Sequence, residues 1–181
     1  MRAREGVTFE RDARVERVPD GTPVDVPSGT HAVVTQALGG AFTLIVGGQM
    51  VRLKGADADA IGKPVPEALP LPEDVSVDDV RGLVWQALKT CYDPEIPVDI
   101  VELGLVYACD VLPTEDGEQA RVSIKMTLTA PGCGMGEVIA DEVADKVLAL
   151  PRVAEVNVDM VFDPPWTRDR MSEAAALSLG L

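Results

Sequence analysis

The sequence has no long apolar run, and this absence argues against a membrane-spanning protein. No segment approaches the roughly 20 consecutive apolar residues that a helix needs to cross a bilayer. Residues 1–5 also lack the apolar stretch of a secretory signal peptide. Hydrophobic residues nevertheless make up 46% of the chain, which is enough to build cores. We therefore expect a globular protein, located in the cytoplasm, with no membrane partner.

Cysteine and histidine are scarce. The three cysteines lie at positions 91, 109 and 133, and this odd number shows no disulfide framework, in agreement with a reducing compartment. The only histidine is His31, which lies in a stretch with the composition of a strand. A single imidazole in a strand is far more often a packing or surface group than a metal ligand, so we assign His31 no chemical role.

Positive charge is scarce in the second half of the chain. The formal net charge is −14, and residues 71–181 carry eight Lys and Arg against 21 Asp and Glu, whereas residues 1–70 carry eight against nine. Such a field repels phosphate backbones and therefore argues against a nucleic-acid partner. The acidic surface is either a solvated, soluble face or a docking surface for a basic or metal-bearing partner.

A proline-rich segment divides the chain. Residues 1–60 contain short strand-like stretches separated by turn sequences such as Gly39-Gly40 and Gly47-Gly48, a pattern that predicts a small antiparallel β-barrel or sandwich. Residues 61–74 predict a linker, because neither a helix nor a central strand persists through prolines at this spacing: Pro64, Pro66, Pro70 and Pro72. The second domain then covers residues 75–181.

Residues 75–181 carry both helical and strand patterns. Ser76 can cap a helix with Asp79, and the apolar residues that follow have helical spacing until the chain nears Tyr92-Asp93-Pro94. The later patterns predict strands within 105–112, 120–128 and 155–162, a helix over 137–150 and a short helix beyond Ser172. Because each strand has one apolar face to bury, we expect an α+β fold with helices covering one face of a single sheet.

One thiol lies in a glycine-rich turn, Thr129-Ala130-Pro131-Gly132-Cys133-Gly134-Met135-Gly136, between a predicted strand and a predicted helix. Unpaired N–H groups and the dipole at a helix N-terminus stabilise a thiolate, so Cys133 is a candidate ligand or nucleophile. Alternatively, it fills a tight space where the helix begins. Thr129 either hydrogen-bonds within the turn and positions Cys133, or simply ends the strand. Cys91 and Cys109 lie at apolar positions and are expected in the core.

Three segments in this order resemble a known family. They are residues 93–107, the turn at 129–136, and Asp163-Pro164-Pro165-Trp166 followed by Met171-Ser172-Glu173. Over about residues 75–181 the chain resembles the MIP18-like domain, formerly DUF59, of iron–sulfur cluster assembly factors. The preceding part, with the sequences at 35–40 and 51–53, is similar to the N-terminal extension of the two-part form called SufT.

The resemblance implies a non-enzymatic accessory factor in iron–sulfur protein maturation, which carries or transfers iron or a cluster or acts as an adaptor. It also implies that Cys133 is an exchangeable ligand, with Thr129 beside it in the cofactor-binding turn and Asp93, Glu95 and Glu102 as carboxylate ligands. A thiolate with carboxylates suits transiently bound iron, so no stably bound cofactor is expected. The implied partners are the iron–sulfur assembly machinery and apo client proteins.

A possible homodimer follows from the cysteine count. A cluster held by one chain normally takes four thiolates, and this chain has three cysteines. A second copy or a partner protein would therefore have to complete the ligand set. Trp166, after two prolines, is interpreted as a plug over the core, or else as an aromatic side chain that binds a partner.

Two other functions remain open at the level of sequence. The first is a thiol-dependent enzyme with Cys133 as nucleophile, which the lack of a nearby histidine disfavours. The second is an accessory subunit of an aromatic-acid oxygenase system, a role of small domains that resemble this one; the N-terminal part argues against it. Asp93-Pro94 and Glu95 also have a simpler interpretation as a helix stop with solvated acids.

Overall fold

The computed structural model describes residues 4–68, 70–131 and 134–181, and it confirms the predicted α+β class. The described residues form two compact units. The first unit contains residues 4–68 together with the short segments 92–97 and 134–135, and the second contains the remainder. The domain boundaries predicted at residues 60 and 75 stay a prediction, because each compact unit contains segments that are not continuous in sequence.

The first unit is built on a six-stranded sheet with the strand order β1-β4-β5-β6-β2-β3, in which all neighbouring pairs are antiparallel. Its strands are β1 Glu5–Thr8, β2 Ala13–Arg17, β3 Pro23–Val26, β4 His31–Leu38, β5 Ala41–Val46 and β6 Gln49–Lys54. A 3-10 segment, Gly55–Ile61, follows β6. Both glycine pairs predicted as turns join neighbouring strands, and all four glycines have positive φ, as tight hairpins require.

The core of the first unit explains why most of its strands were predictable. Phe9, Leu44 and Leu53 are fully buried, and apolar residues of β2, β4, β5 and β6 pack around them. The strand-like stretches of the sequence, at 15–18, 24–26, 32–37, 42–46 and 50–53, correspond to β2–β6, whereas β1 was not predicted. Strand β1 has four residues, and none of them is fully buried, so it carries no clear period of two.

The second unit contains the remaining elements in the predicted order. They are a 3-10 turn Val77–Asp79, α1 Val80–Leu88, β7 Val106–Pro113, β8 Ala120–Met126, α2 beginning at Met135 and ending at Leu148, β9 Val153–Met160, a 3-10 turn Arg168–Arg170 and α3 Glu173–Ser178. Ser76 and Asp79 form the predicted capping box. Helix α1 ends at Leu88, earlier than the stop expected near Tyr92.

The sheet of the second unit has the order β7-β8-β9, with β7 antiparallel and β9 parallel to β8. Helix α2 forms the crossover between the two parallel strands. The apolar face of β8 is buried, with the side chains Val122, Ile124 and Met126. The apolar residues of α2 with helical spacing, Ile139, Val143 and Val147, are buried as well, and so is Leu150 after the helix. Phe162 was expected to continue the alternation of β9. It lies beyond the strand end and is 46% exposed.

The helices are short. No helix among the described residues has both the length and the apolar composition needed to cross a membrane.

Candidate functional site

The first motif block begins with a tight turn at Asp93. Its carboxylate accepts hydrogen bonds from the backbone N–H groups of Glu95 at 2.9 Å and Ile96 at 3.1 Å, which is the geometry of an Asx turn. Asp93 is half-buried, Pro94 is buried and Glu95 is exposed. Burial raises the pKa of the Asp93 carboxyl, and the two N–H donors oppose that rise without cancelling it. The fold therefore holds a carboxylate whose charge is disfavoured by its surroundings.

Glu95 opens onto a cavity of about 630 Å³ in the first unit. The cavity lining includes the apolar side chains of Val33, Ile45 and Met50, and it also includes Arg4. The predicted ligand Glu95 thus lies at an accessible surface that combines apolar and charged groups. Asp93 and Glu95 lie close in sequence and belong to the same unit.

The second half of the first block is a turn shaped by Asp99. Its carboxylate accepts hydrogen bonds from the backbone N–H groups of Val101 and Glu102, both at 3.0 Å. The predicted ligand Glu102 lies in this turn, in the second unit, and its carboxylate is 3.7 Å from the Lys89 Nζ. Sequence reasoning assigned no role to Asp99. The signal was present, because Asp followed at once by a short apolar run and glycine is typical of a side chain that closes its own turn.

The third motif block lies against the Glu102 turn. The indole N–H of Trp166 donates to the Leu103 carbonyl at 2.8 Å, and the backbone N–H of Ser172 donates to the Glu102 carbonyl at 2.8 Å. Gly104 has a φ of +71°, and a Cβ there would overlap the Arg170 carbonyl oxygen. Half-buried Trp166 therefore anchors the motif that contains Glu102, which is a more specific role than the core plug expected from the sequence.

Tyr107 joins the same two blocks. The register of β7 against β8 shifts between Val106 and Ala108, so Tyr107 lies at a bulge, where a strand re-aims a side chain. Its hydroxyl donates to the Pro164 carbonyl at 2.8 Å, and the Arg170 guanidinium lies 4.3 Å from its ring centroid. The extra residue interrupts the alternation of side chains along β7, which the strand pattern of residues 105–112 did not reveal.

The cysteine turn is described only in part. Thr129 is half-buried, whereas Thr127 is 1% exposed and donates its backbone N–H to the Leu105 carbonyl at 2.8 Å. Within residues 4–68, 70–131 and 134–181, the Thr127 hydroxyl has no hydrogen-bond partner. Cys133 and Gly132 lie outside the described residues. The roles predicted for Cys133 and Thr129 therefore stay predictions.

The other two cysteines are in the core, as expected. Cys91 is 0% and Cys109 is 8% exposed. Burial raises the pKa of the Cys109 thiol, which disfavours a thiolate there. Neither side chain is presented to a ligand at the surface.

The predicted carboxylate ligands do not form a metal site by themselves. No group of three or more His, Cys, Asp or Glu side chains in the described part of the chain is arranged to hold a metal ion. Asp93 and Glu95 lie in the first unit and Glu102 in the second. The set of Cys133 with these three carboxylates is neither assembled nor excluded by the described residues, and it stays a prediction.

Comparison with known proteins identifies the family. A model of the family described as "Iron-sulfur cluster assembly protein" matches residues 82–158. A relative named Fe-S protein maturation auxiliary factor YitW, from Bacillus subtilis, is 47% identical over 109 residues, which cover 60% of this chain and 98% of the relative. The chain belongs to the iron–sulfur cluster assembly protein family, as its three motif blocks predicted.

Two further relatives are similar over the same part of the chain. The Fe-S protein maturation auxiliary factor of Porphyromonas gingivalis is 45% identical over 97 residues, which cover 54% of this chain and 88% of the relative. The auxiliary factor SufT of Staphylococcus aureus is 40% identical over 89 residues, with 49% and 96% covered. The matched family model begins at residue 82, so the six-stranded sheet lies outside it.

We predict that Gly104→Ala weakens the second unit more than Gly117→Ala. Both glycines have a φ of +71°, but a Cβ at position 117 meets nothing within 4 Å. Gly117→Ala should therefore lower the free energy of unfolding by about 1 kcal/mol, through backbone strain alone. Gly104→Ala should cost about 1–3 kcal/mol more, because its Cβ overlaps the Arg170 carbonyl. Urea unfolding measures both losses, and equal losses would contradict the tight packing at Gly104.

We predict that Asp93→Asn stabilises the protein at neutral pH. Burial raises the pKa of Asp93 in the folded state, so the protonated side chain favours folding. This stabilisation is fully present below the ordinary pKa of aspartate and is lost as the pH rises through the raised pKa. Asparagine stays neutral and keeps an oxygen for both N–H groups. The advantage of Asp93→Asn should therefore shrink as the pH is lowered towards about 4, as measured by urea unfolding at several pH values.

Asp25→Asn is the control of opposite sign. The hydrogen bond from Arg14 lowers the pKa of exposed Asp25, so this substitution should slightly destabilise the protein at neutral pH and lose its effect on acidification. A pH-independent effect of Asp93→Asn would contradict the burial of its charge.

Proposed function

We propose that this protein is an accessory factor in the maturation of iron–sulfur proteins and acts by holding or transferring cargo, without catalysing the conversion of a metabolite. The observation that carries the proposal is the 47% identity to a maturation auxiliary factor of which the chain covers 98%. Two further relatives with the same kind of name support it. The cytoplasm is the compartment that we propose, because the three cysteines show no disulfide framework.

The cargo in this proposal is iron or an iron–sulfur cluster. Cys133 precedes α2 by two residues in sequence, and the free N–H groups and dipole at a helix start favour a thiolate over a thiol. Soft sulfur binds iron–sulfur species well, whereas carboxylate oxygens such as those of Asp93, Glu95 and Glu102 bind iron more loosely. A mixed donor set of this kind allows the cargo to leave, as a delivery step requires.

Thr129 has a supporting role in the proposal. Its half-buried position four residues before Cys133 suits a hydroxyl that hydrogen-bonds within the turn and limits its motion. The alternative, in which Thr129 only ends the strand, predicts that Thr129→Val is without effect on the bound cargo.

One chain supplies one exchangeable thiol, because Cys91 and Cys109 are buried. A cluster therefore needs further ligands from a second copy of the chain, from the assembly machinery or from the apo client protein. We propose a site shared between molecules. Such a site also explains why a transfer factor need not hold its cargo stably when alone.

We predict that Cys133→Ser removes the maturation function while the fold is retained. In a strain without the wild-type gene, the activity of cluster-dependent enzymes should remain at the level of the deletion, because serine is a much poorer ligand for iron–sulfur species. Circular dichroism checks the fold. Cys109→Ala is the control: it removes a buried thiol with no proposed ligand role and should restore activity. If Cys133→Ser fully rescues the deletion, the thiol mechanism is wrong.

We predict that the wild-type protein, loaded anaerobically with ferrous iron and sulfide, retains iron through a brief desalting step and that Cys133→Ser does not. Iron and sulfide analysis with absorption spectroscopy measures this difference. Stoichiometric iron in the wild type and none in the variant supports a carrier. Iron in neither protein contradicts the carrier role and favours an adaptor that brings machinery and client together.

A further inference from the structure

The first unit contains more than the N-terminal part of the chain. Residues 92–97 and 134–135 come from the part matched by the family, residues 82–158, yet they are grouped with residues 4–68. The first of these segments contains Asp93 and Glu95, and the second directly follows Cys133 in sequence. Both segments that border predicted ligands are therefore packed within the unit built on the six-stranded sheet.

Two side chains of the sheet bind consecutive carbonyls of the first segment. Gln36 Nε2 donates to the Asp93 carbonyl at 3.1 Å, and Thr43 Oγ1 donates to the Pro94 carbonyl at 3.0 Å. Gln36 on β4 and Thr43 on β5 are direct partners in the register, so their side chains leave the same face side by side. Their spacing thus matches two neighbouring peptide carbonyls.

The Thr43 contact is buried, which makes it hard to replace. Thr43 is 4% exposed, and Pro94 is buried as well. A buried carbonyl without a donor is costly, so the Pro94 carbonyl depends on the Thr43 hydroxyl. The carboxylate of Asp93 accepts the N–H groups of Glu95 and Ile96 on the other side of the same segment. Both the carbonyls and the N–H groups of this short loop are therefore held.

The second segment is held by the turn between β2 and β3. The backbone N–H of Met135 donates to the Pro19 carbonyl at 3.2 Å. Gly134 lies so close to Asp20 that a Cβ would overlap the Asp20 carbonyl oxygen. This turn is itself braced, because the Asp20 carboxylate pairs with Arg17 at 2.6 Å and accepts the Thr22 N–H at 3.1 Å.

We propose that the N-terminal sheet positions residues 92–97 of the family domain, with Gln36 and Thr43 as positioning residues for Asp93 and Glu95. The proposal rests on the proposed function, since it concerns the same ligands. Ordering a loop costs conformational entropy, and ligands on loops that are already ordered bind cargo without that cost at the moment of binding. Residues 4–68 thereby gain a role in maturation although the family model does not cover them.

The test compares two threonine substitutions in the first unit. Thr43→Val removes the hydroxyl that binds the Pro94 carbonyl, and Gln36→Ala is combined with it to remove both contacts. Thr30→Val is the matched control, because the Thr30 hydroxyl also donates to a proline carbonyl, that of Pro27 at 2.7 Å, away from residues 92–97. The full-length variants are examined by amide hydrogen exchange and by the activity of cluster-dependent enzymes in the deletion strain.

We expect the Thr43→Val/Gln36→Ala variant to exchange the amide hydrogens of Glu95 and Ile96 about tenfold faster and to lose maturation activity, while the amides of β5 and β6 keep their protection. Thr30→Val should change neither property. Unchanged exchange at Glu95 and Ile96 overturns the proposal. Faster exchange with full maturation activity overturns it too, because the segment is then held without functional need.

Failure of this inference is distinguishable from failure of the proposed function. If Cys133→Ser abolishes maturation and the double variant does not, the maturation role stands and the positioning role falls. If Cys133→Ser retains full activity but the double variant loses it, the thiol mechanism falls and positioning by the sheet stands.

Discussion

The register of β8 is the constraint on which the second unit depends. β8 is the central strand, its apolar face is buried, and its two edges pair with β7 and β9. Because side chains alternate with a period of two, a slip of one residue would expose Val122, Ile124 and Met126 together. The register in turn sets where the strand ends and α2 begins.

Many residues of the motif blocks serve the backbone. Asp93 and Asp99 each accept two N–H groups of their own loop, and Trp166 and the Ser172 N–H bind carbonyls of the Glu102 turn. Loops cannot satisfy their buried peptide groups as helices and sheets do, so side chains and neighbouring loops must supply the missing partners. The Asp, Gly and Trp residues of these blocks therefore serve the shapes of their loops, whether or not they also serve as ligands.

Asp93 combines structural and chemical demands. It closes a turn as an acceptor, a task that asparagine also performs, yet it is a carboxylate whose pKa is raised by burial. Burial that raises a carboxyl pKa disfavours the charged form relative to an exposed aspartate, and such shifts are more common at functional positions than elsewhere. This physical feature distinguishes Asp93 from the many exposed carboxylates of this acidic chain.

The sequence by itself determined what depends on neighbours along the chain. Alternation in 120–128, helical spacing after Ser76 and the glycine pairs in the hairpins each report a local period or a local φ. The corresponding strand, helix and turns are all present, although β8 and α1 both end earlier than predicted. The tertiary structure decided what depends on distant partners. Gln36 and Asp93 are 57 residues apart, and Trp166 and Leu103 are 63 apart, so no local pattern predicts these contacts. The same reason applies to three other features that the sequence did not predict: the bulge at Tyr107, the strand β1 and the grouping of 92–97 with the N-terminal sheet. Each of them exists only when a remote segment supplies hydrogen bonds or buried surface.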